Sequence, residues 1–174
     1  NLEIIKKDTR HVNVQDLENV EKIIHLANIA NDPAVDLDQV LSWEVNVLAT
    51  QNLIDLAARG GKVTQFIYAS SGSVYGIKKE KKVTEDLDLV PISTYNKTKM
   101  IAERIMLSFR DDLIYHIIRP ATVCGYSLKM RFDVSVNNLT IQALKNKSIN
   151  VFGGKQTRPN INIKDISRIF QYFM

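Results

Sequence analysis

Three side chains in the middle of the sequence have the types and spacing needed for proton transfer. Ser71 follows an apolar run that ends at Ala69, and Tyr95 and Lys99 lie four residues apart in a later segment. In a helix, that spacing puts Tyr95 and Lys99 on one face, where the ammonium favours the phenolate form of tyrosine. A serine hydroxyl can then hold a substrate oxygen while tyrosine takes or returns its proton. A Tyr–Lys pair at this spacing is also common on half-buried helices, so the pair alone does not identify an enzyme.

The segments around these residues alternate between strand and helix patterns. Continuous apolar runs predict parallel strands at 20–27, 63–69 and 113–119. Shorter apolar runs predict two more strands, at 2–5 and 149–152. Helical spacing of apolar residues predicts helices over 38–59, 93–110 and 134–144, with a short helical stretch at 14–19. We expect Gly60 and Gly61 to end the first long helix, Asn31 to Pro33 to form a turn, and Asp165 to cap a last helix. The alternation predicts an α/β fold with a parallel sheet.

The composition restricts the class of protein. The chain has 174 residues, 45% of them hydrophobic and 24% charged, which is ordinary for a globular domain with a sizeable core. The single cysteine, Cys124, excludes an internal disulfide and a cysteine-based metal cluster, and we expect no metal site. No apolar run reaches ~18 residues, and the chain does not open on a signal peptide. These features predict a cytoplasmic location and no membrane partner.

The positive charge is scattered along the chain. The net charge is +4, with one basic run at 78–82, which we interpret as a solvated loop rather than a phosphate contact. Aromatic and basic residues do not form the combined pattern typical of nucleic-acid binding, so no nucleic-acid partner is expected.

Residues 65–76 and 95–99 together are far more specific than either segment alone. The order Ser-Ser-x-Ser-Val-Tyr-Gly, followed by Tyr-x-x-x-Lys, resembles the extended short-chain dehydrogenase/reductase family. Within it, the chain is similar to the NAD-dependent epimerase/dehydratase branch, which works on nucleotide sugars, and the resemblance covers nearly the whole chain. It implies an incomplete Rossmann-type doubly wound parallel sheet with part of a small substrate-binding lobe. The implied domains are a partial NAD(P)-binding domain at 1–125 and, at 126–174, a partial substrate lobe with returning Rossmann elements.

The resemblance implies a nucleotide-sugar epimerase-type oxidoreductase. In this reaction Tyr95, as phenolate, takes a proton from a sugar hydroxyl while hydride passes transiently to bound NAD. Lys99 lowers the pKa of Tyr95 and holds the nicotinamide ribose, and Ser71 hydrogen-bonds the sugar oxygen. The resemblance also implies a homodimer that pairs the helices over 38–59 and 93–110 with their copies in a four-helix bundle.

Further cofactor contacts are carried over from the family's motifs. Asp8 and Thr9 match the turn that meets the adenine, although Asp8 by itself would be interpreted as a plain turn aspartate. His25 lies inside an apolar strand and is interpreted as a structural histidine. NAD is the expected cofactor, and NADP is not excluded because the strand that separates the two is not in the chain. The other residues that the resemblance places against the cofactor are Leu26, Ala27, Asn28, Asn46, Ala69, Ser70, Tyr95, Lys99 and Pro120.

Substrate contacts are implied in both halves of the chain. Arg158 matches the arginine that grips the nucleotide-sugar diphosphate, with a surface arginine as the alternative. The counterpart of Tyr75 faces the sugar in some relatives, so the resemblance implies a substrate contact for Tyr75, with packing of the loop as the alternative. Thr122 stands where many epimerases have asparagine, which leaves the details of substrate binding open. The full set of implied substrate contacts is Ser71, Gly72, Ser73, Tyr75, Thr122, Asn138, Leu139, Asn150, Phe152 and Arg158.

Two departures from the family leave alternatives open. Gly72 and Ser73 fill the positions where 4,6-dehydratases carry an acidic pair, which argues against dehydration, although a dehydratase or reductase stays possible. The seven glycines contain no G-x-x-G-x-x-G run, and the chain begins at what resembles the third strand of the domain. The chain is therefore a fragment or a reduced family scaffold. A non-catalytic binding protein that keeps the fold is the competing hypothesis from another class.

Overall fold

The computed structural model describes residues 3–109 and 111–174. The chain forms two compact units, of which the first ends at Arg119 and the second runs Pro120–Met174. The assignment of 1–125 to cofactor and 126–174 to substrate remains a prediction about function. No helix in the described part of the chain combines the length and apolar character needed to cross a bilayer.

The first unit is built on a three-stranded parallel sheet. Its strands are β1 (Lys22–His25), β2 (Gln65–Ala69) and β3 (Ile114–Ile118), in the spatial order β1-β2-β3. The central strand β2 is buried on both faces, as the continuous apolar run in its sequence predicted. The three longest predicted strands and the α/β class with a parallel sheet are therefore confirmed.

Four α-helices accompany this sheet. They are α1 (Asp32–Leu37), α2 (Gln39–Trp43), α3 (Ala49–Arg59) and α4 (Thr94–Ser108). A π-helical segment, Glu44–Leu48, joins α2 to α3, so the predicted helix over 38–59 is one continuous run with a wider turn in its middle. Short 3₁₀ turns lie at Thr9–His11, Val14–Leu17 and Gly72–Tyr75.

The core of the first unit lies where α3 and α4 pack against the sheet. It is formed by the buried apolar residues Leu53, Ile54, Ala57, Val63, Phe66, Tyr68, Ala102, Met106 and Leu113. Burying a large apolar side chain stabilises the fold by about 1.5–3 kcal/mol. This packing fixes α4 against the end of β2, and α4 carries Tyr95 and Lys99.

The second unit has its own two-stranded parallel sheet. Strand β4 (Thr122–Cys124) pairs with β5 (Asn160–Asn162), and helices α5 (Ser135–Asn146) and α6 (Ile163–Phe173) complete the unit. The sequence did not predict β4 or β5, because three residues are too few for a periodic pattern.

Two predicted strands are absent from the part of the chain that the structure describes. Glu3, Ile4 and Ile5 are exposed and irregular, and Leu2 lies outside the described residues. The segment at 149–152 is also irregular, with Phe152 86% exposed. A strand needs a neighbour for its backbone hydrogen bonds, and neither segment pairs with another strand in the described part of the chain.

Local capping corrects two smaller predictions, and a third, the helix predicted over about 93–110, forms as expected. Asn31 is not in a simple turn: its side-chain oxygen accepts from the Ala34 amide at 2.8 Å and starts α1. Asn162, not Asp165, caps α6, because it accepts from the Lys164 amide at 2.9 Å. The helix predicted over 93–110 is α4, which ends at Ser108, and residue 110 is not among the described residues.

Candidate functional site

Lys99 is buried at the carboxyl ends of β1 and β2, with only 4% of its surface exposed. Its Nζ donates to the Ala69 carbonyl at 2.7 Å and to the side-chain oxygen of Asn28. The Tyr68 and Tyr95 rings lie 4.8 Å and 5.9 Å from Nζ, measured to the ring centroids. The fold therefore brings together the predicted residues Asn28, Ala69, Tyr95 and Lys99.

The burial of Lys99 changes its acid–base behaviour. Removal from water lowers its pKa to about 7, although the nearby negative charge of Glu103 partly opposes this shift. A lysine with this pKa changes its charge near neutral pH, whereas an exposed lysine keeps a full charge. A positive charge close to a phenol favours the phenolate form, and the predicted role of Lys99 toward Tyr95 remains a prediction.

Ser71 begins the 3₁₀ turn Gly72–Tyr75 and is half-buried. Its Oγ accepts from the Ser73 amide at 3.2 Å and lies 2.7 Å from the Ser73 hydroxyl. Ser73 in turn donates to the side-chain carbonyl of Asn96 at 2.6 Å. Because that carbonyl can only accept, the Ser73 proton is used there, and Ser71 is the donor in the bond between the two serines.

Asn46 lies behind this site, inside the π-helical segment. Its Oδ1 accepts from the Ile29 amide at 2.7 Å, and its Nδ2 donates to the Ile29 carbonyl at 3.0 Å and to Thr98 Oγ1 at 3.2 Å. Thr98 then donates to the Tyr95 carbonyl at 2.8 Å. Asn46 therefore ties the loop after β1 to the turn of α4 that carries Tyr95.

A buried ionic network lies next to the serine turn. Glu103, 1% exposed, accepts from the Ser70 hydroxyl, and it pairs with Arg119, whose Nη2 lies 2.7 Å from its Oε2. Arg119 also donates to the Tyr75 hydroxyl at 2.7 Å and lies over the Tyr75 ring. Hydrogen bonds to Glu103 raise the pKa of Arg119 above its usual range. Sequence reasoning did not single out this pair. Glu103 lies four residues after Lys99, so the helical spacing could have indicated that both side chains lie on the same face of α4.

Two hydroxyl groups that were predicted to contact ligands form hydrogen bonds with other side chains of the protein instead. The Ser70 hydroxyl, assigned to the cofactor, is directed at Glu103, and the Tyr75 hydroxyl, assigned to the sugar, is held by Arg119. Tyr75 is 9% exposed, so the loop-packing alternative describes its surroundings in this structure. Their predicted roles toward ligands remain predictions.

Asp8 and Thr9 lie in the first 3₁₀ turn. The Asp8 carboxylate caps the turn, accepting from the Arg10 amide and side chain at 2.9–3.1 Å, and Arg10 also pairs with Glu44 at 2.8 Å. Hydrogen bonds from Arg10 lower the pKa of Asp8 to about 2. The carboxylate is therefore charged and engaged, and its assignment to the adenine remains a prediction.

His25 is buried at the end of β1 with Nε2 2.9 Å from Thr50 Oγ1, and its ring stacks on Tyr68 at 5.7 Å. Burial lowers its pKa to about 4, so the ring is neutral at physiological pH. Leu26 and Ala27, which follow it, are exposed and leave the backbone at this sheet edge accessible.

Among the described residues, no group of three His, Cys, Asp or Glu side chains could hold a metal ion.

The second unit contains the remaining predicted residues. Gln142 links two of them, donating to Asn138 Oδ1 at 2.9 Å and accepting from the Asn150 amide at 2.9 Å. Asn137, which the sequence did not single out, is buried and bridges the Gly125 amide and the Arg131 carbonyl. Pro120, Thr122 and Leu139 are half-buried, whereas Phe152 and Arg158 are exposed.

Comparison with known proteins identifies the family. The model of the NAD dependent epimerase/dehydratase family matches residues 1–174. The chain belongs to this family. Its relatives in the family include the uncharacterized UDP-glucose epimerase YtcB of Bacillus subtilis, 31% identical over 151 residues, or 86% of this chain and 47% of YtcB.

Solved structures agree with this family assignment. MoeE5 in complex with UDP-glucuronic acid and NAD has a TM-score of 0.80 and 31% identity, covering 97% of this chain and 57% of MoeE5. The UDP-glucuronic acid 4-epimerase of Bacillus cereus, in complex with UDP-glucuronic acid and NAD, has a TM-score of 0.79 and 29% identity, covering 94% and 52%. The Rossmann-type fold is thereby confirmed, and the chain spans about half the length of these relatives.

Proposed function

We propose that the protein carrying this chain is an NAD-using, nucleotide-sugar epimerase-type oxidoreductase. The observation that supports this most strongly is the buried Lys99 amino group beside the Tyr95 ring in a member of this family. Structural relatives bound to UDP-sugars and NAD support the substrate and cofactor classes. NADP remains an alternative, because one similar structure, 22% identical, was determined with NADPH.

The chemistry of this sheet edge fits a dinucleotide. In parallel α/β sheets ligands bind outside the carboxyl ends of the strands, where Ala27 and Ala69 lie and small side chains leave the backbone accessible. The Lys99 ammonium has three protons, of which Ala69 and Asn28 take two, so a third is available for a ribose hydroxyl. When bound, NAD supplies the hydride acceptor and donor for the sugar carbon.

The chain's own residues supply the proton chemistry in this proposal. Tyr95, as phenolate, takes the proton of the reacting sugar hydroxyl and later returns it. Lys99, when protonated, favours that phenolate. Ser71 donates to the sugar oxygen, which requires its proton to turn away from Ser73.

Substrate binding extends the proposal to the other predicted residues. We assign the diphosphate to Arg158, because a guanidinium presents paired donors to phosphate oxygens. We keep Gly72, Ser73 and Tyr75 as contacts on the sugar side, and we assign Thr122, Asn138, Leu139, Asn150 and Phe152 to the nucleotide side.

A dehydratase is the second candidate. The NAD-dependent NDP-hexosamine 5,6-dehydratase TunA has a TM-score of 0.84 and 25% identity over 95% of this chain and 55% of TunA. Elimination of water needs an additional acid and base, and Gly72 and Ser73 do not supply a carboxyl pair at the positions where 4,6-dehydratases carry one. We therefore favour epimerisation.

The test is an assay of the protein with NAD and UDP-glucuronic acid or UDP-glucose, with the products separated by chromatography. We expect an epimerised sugar, and Tyr95→Phe should lower turnover by about 100-fold or more while the protein stays folded. Tyr172→Phe, at a position 85% exposed, is the matched control and should keep full turnover. Undiminished turnover in Tyr95→Phe would falsify the mechanism, and a dehydrated product would select the second candidate. A folded protein with no turnover would favour the non-catalytic alternative.

Assembly and location complete the proposal. We propose a homodimer that pairs α2, α3 and α4 with their copies. Exposed apolar residues support it: Val40 in α2 is 71% exposed, and Leu48 in the π-helical segment between α2 and α3 is 59% exposed. We also propose a cytoplasmic location. Sedimentation velocity of the protein tests the dimer, and a monomer at all concentrations would contradict it.

A further inference from the structure

Three hydrogen bonds hold the side-chain amide of Asn28. Its Oδ1 accepts from Lys99 Nζ and from the Tyr68 hydroxyl at 3.2 Å. Its Nδ2 donates to the Ala27 carbonyl at 2.8 Å and lies 3.3 Å from His25 Nε2. The two acceptor lone pairs of the amide oxygen are therefore both used, and one of the two amide protons is bonded to a carbonyl, which fixes which way the side chain points.

The orientation of the amide follows from its partners. Burial raises the pKa of Tyr68, so its hydroxyl keeps the proton that it donates. The Lys99 amino group is also a donor, and the Ala27 carbonyl can only accept. The carbonyl end of Asn28 therefore faces Lys99, and a flipped amide would place two donors against each other.

Titratable groups face Lys99 from three elements. Glu103 shares α4 with it, but that carboxylate already accepts from Ser70 and Arg119. His25 on β1 is neutral near pH 7, while Tyr68 on β2 and Tyr95 on α4 contribute rings within 6 Å of Nζ. Two oxygens of the described residues bond Nζ directly, the Ala69 carbonyl and Asn28 Oδ1, and of these two only the Asn28 side chain can be removed by mutation.

We propose that Asn28 is a positioning residue for Lys99, holding the ammonium between the carboxyl ends of β1 and β2. Asn28 was assigned to the cofactor by resemblance, whereas its contacts in this structure direct it to the lysine. The effect on turnover rests on the proposed function, but the effect on Lys99 itself does not.

Three substitutions at position 28 change the hydrogen-bond acceptor that faces Lys99: one removes it, one gives it a negative charge and one makes it smaller. Asn28→Ala removes the acceptor, so the protonated form of Lys99 loses a hydrogen bond and its pKa should fall by about one pH unit. Asn28→Asp places a carboxylate against the ammonium and should raise that pKa by one pH unit or more. Asn28→Ser retains a smaller acceptor and should fall between the parent protein and Asn28→Ala.

The measurement is carbon-13 NMR of the protein with labelled lysine, following the Cε signal of Lys99 through a pH titration. Lys99→Met identifies the signal. Asn52→Ala is the matched control, because the Asn52 amide also bonds a backbone carbonyl, that of Val12 at 3.1 Å, from an exposed position. It should leave the Lys99 titration unchanged.

The outcomes decide the proposal. A lowered pKa in Asn28→Ala with a raised pKa in Asn28→Asp supports it, and an unchanged titration in both folded variants overturns it. If Asn28→Ala does not fold, Asn28→Ser and Asn28→Asp give the same decision.

In the enzyme assay, the alkaline limb of the kcat profile should move to lower pH in Asn28→Ala and to higher pH in Asn28→Asp, with little change in KM. If the parent protein has no turnover, the proposed function fails while the NMR titration still judges the role of Asn28.

Discussion

The Ser73 hydroxyl donates to the side-chain carbonyl of Asn96 across 2.6 Å, joining the Ser71 turn to the first turn of α4. Ser71 and Tyr95 belong to different elements, and their relative position depends on how these elements are linked. Ser73 lies two residues from Ser71, and Asn96 directly follows Tyr95. This one bond therefore connects the neighbours of both proposed catalytic residues.

A double-mutant cycle tests this link. Ser73→Ala and Asn96→Ala should each lower kcat by about 10-fold, which corresponds to about 1.4 kcal/mol, and the double variant should lose little more than either one. The reason is that each single variant already breaks the same bond. The measurement is steady-state turnover of the four proteins in the epimerase assay.

Ser108→Ala is the control for the cycle, since Ser108 bonds the Ile105 carbonyl at the exposed end of the same helix. It should leave kcat unchanged. Fully multiplicative losses in the double variant would mean that Ser73 and Asn96 act independently and that the bond does not position Ser71.

The ion pair of the buried Glu103 with the half-buried Arg119 should contribute more to stability than an ion pair on the surface. Glu103→Ala leaves the Arg119 guanidinium without its carboxylate, and we expect the free energy of unfolding to fall by about 3 kcal/mol. Asp55→Ala removes the half-buried partner of the exposed Arg59, from an ion pair open to water, and should cost less than about 0.5 kcal/mol. Urea unfolding followed by fluorescence of Trp43, the single tryptophan, reports on the first unit. Equal costs for the two variants would contradict the importance assigned to the pair of Glu103 with Arg119.

Gly76 and Gly61 allow a matched comparison of steric fit. Both have positive φ, +70° and +72°, but a Cβ at Gly76 would lie 2.1 Å from the Val90 carbonyl oxygen, whereas nothing lies within 4 Å at Gly61. Gly61→Ala should cost about 1 kcal/mol from backbone strain alone. Gly76→Ala should cost at least about 2 kcal/mol more, because the loop after the serine turn must move. Similar urea midpoints for the two variants would show that the loop yields without cost.

The buried His25 predicts a loss of stability in mild acid. Its folded pKa is about 4 and its ordinary value is 6.5, so the unfolded chain binds more protons between these limits. The part of the stability that depends on His25 should therefore be complete above pH 6.5 and decline as the pH falls toward 4, with a slope approaching 1.4 kcal/mol per pH unit. The shifts of Lys99 and Asp8 act outside this window, above about 7 and below 3.8.

Urea unfolding at a series of pH values measures this decline. His25→Gln removes the titrating ring and should flatten the curve between pH 6.5 and 4. His11→Gln, at an exposed position, is the control and should keep the decline. An unchanged slope in a folded His25→Gln protein would assign the decline to other groups.

Local patterns accounted for much of the fold. The apolar runs located β1, β2 and β3, and the helical spacing located α4 with Tyr95 and Lys99 on it. The same reasoning failed at Glu3 to Ile5, where an apolar run has no paired strand, and at β4 and β5, which are too short to show a period. Apolar character reports a preference for burial, whereas strand formation also needs a neighbouring backbone.

The sequence by itself determined the family, the parallel α/β class and the elements that carry Ser71, Tyr95 and Lys99. Only the tertiary structure decided which side chains meet: Asn28 with Lys99, 71 residues apart, and Glu103 with Ser70, 33 residues apart. Residue type and period encode local conformation and the buried face of each element. Contacts between distant residues follow instead from strand register and helix packing, which arise only when the whole core assembles.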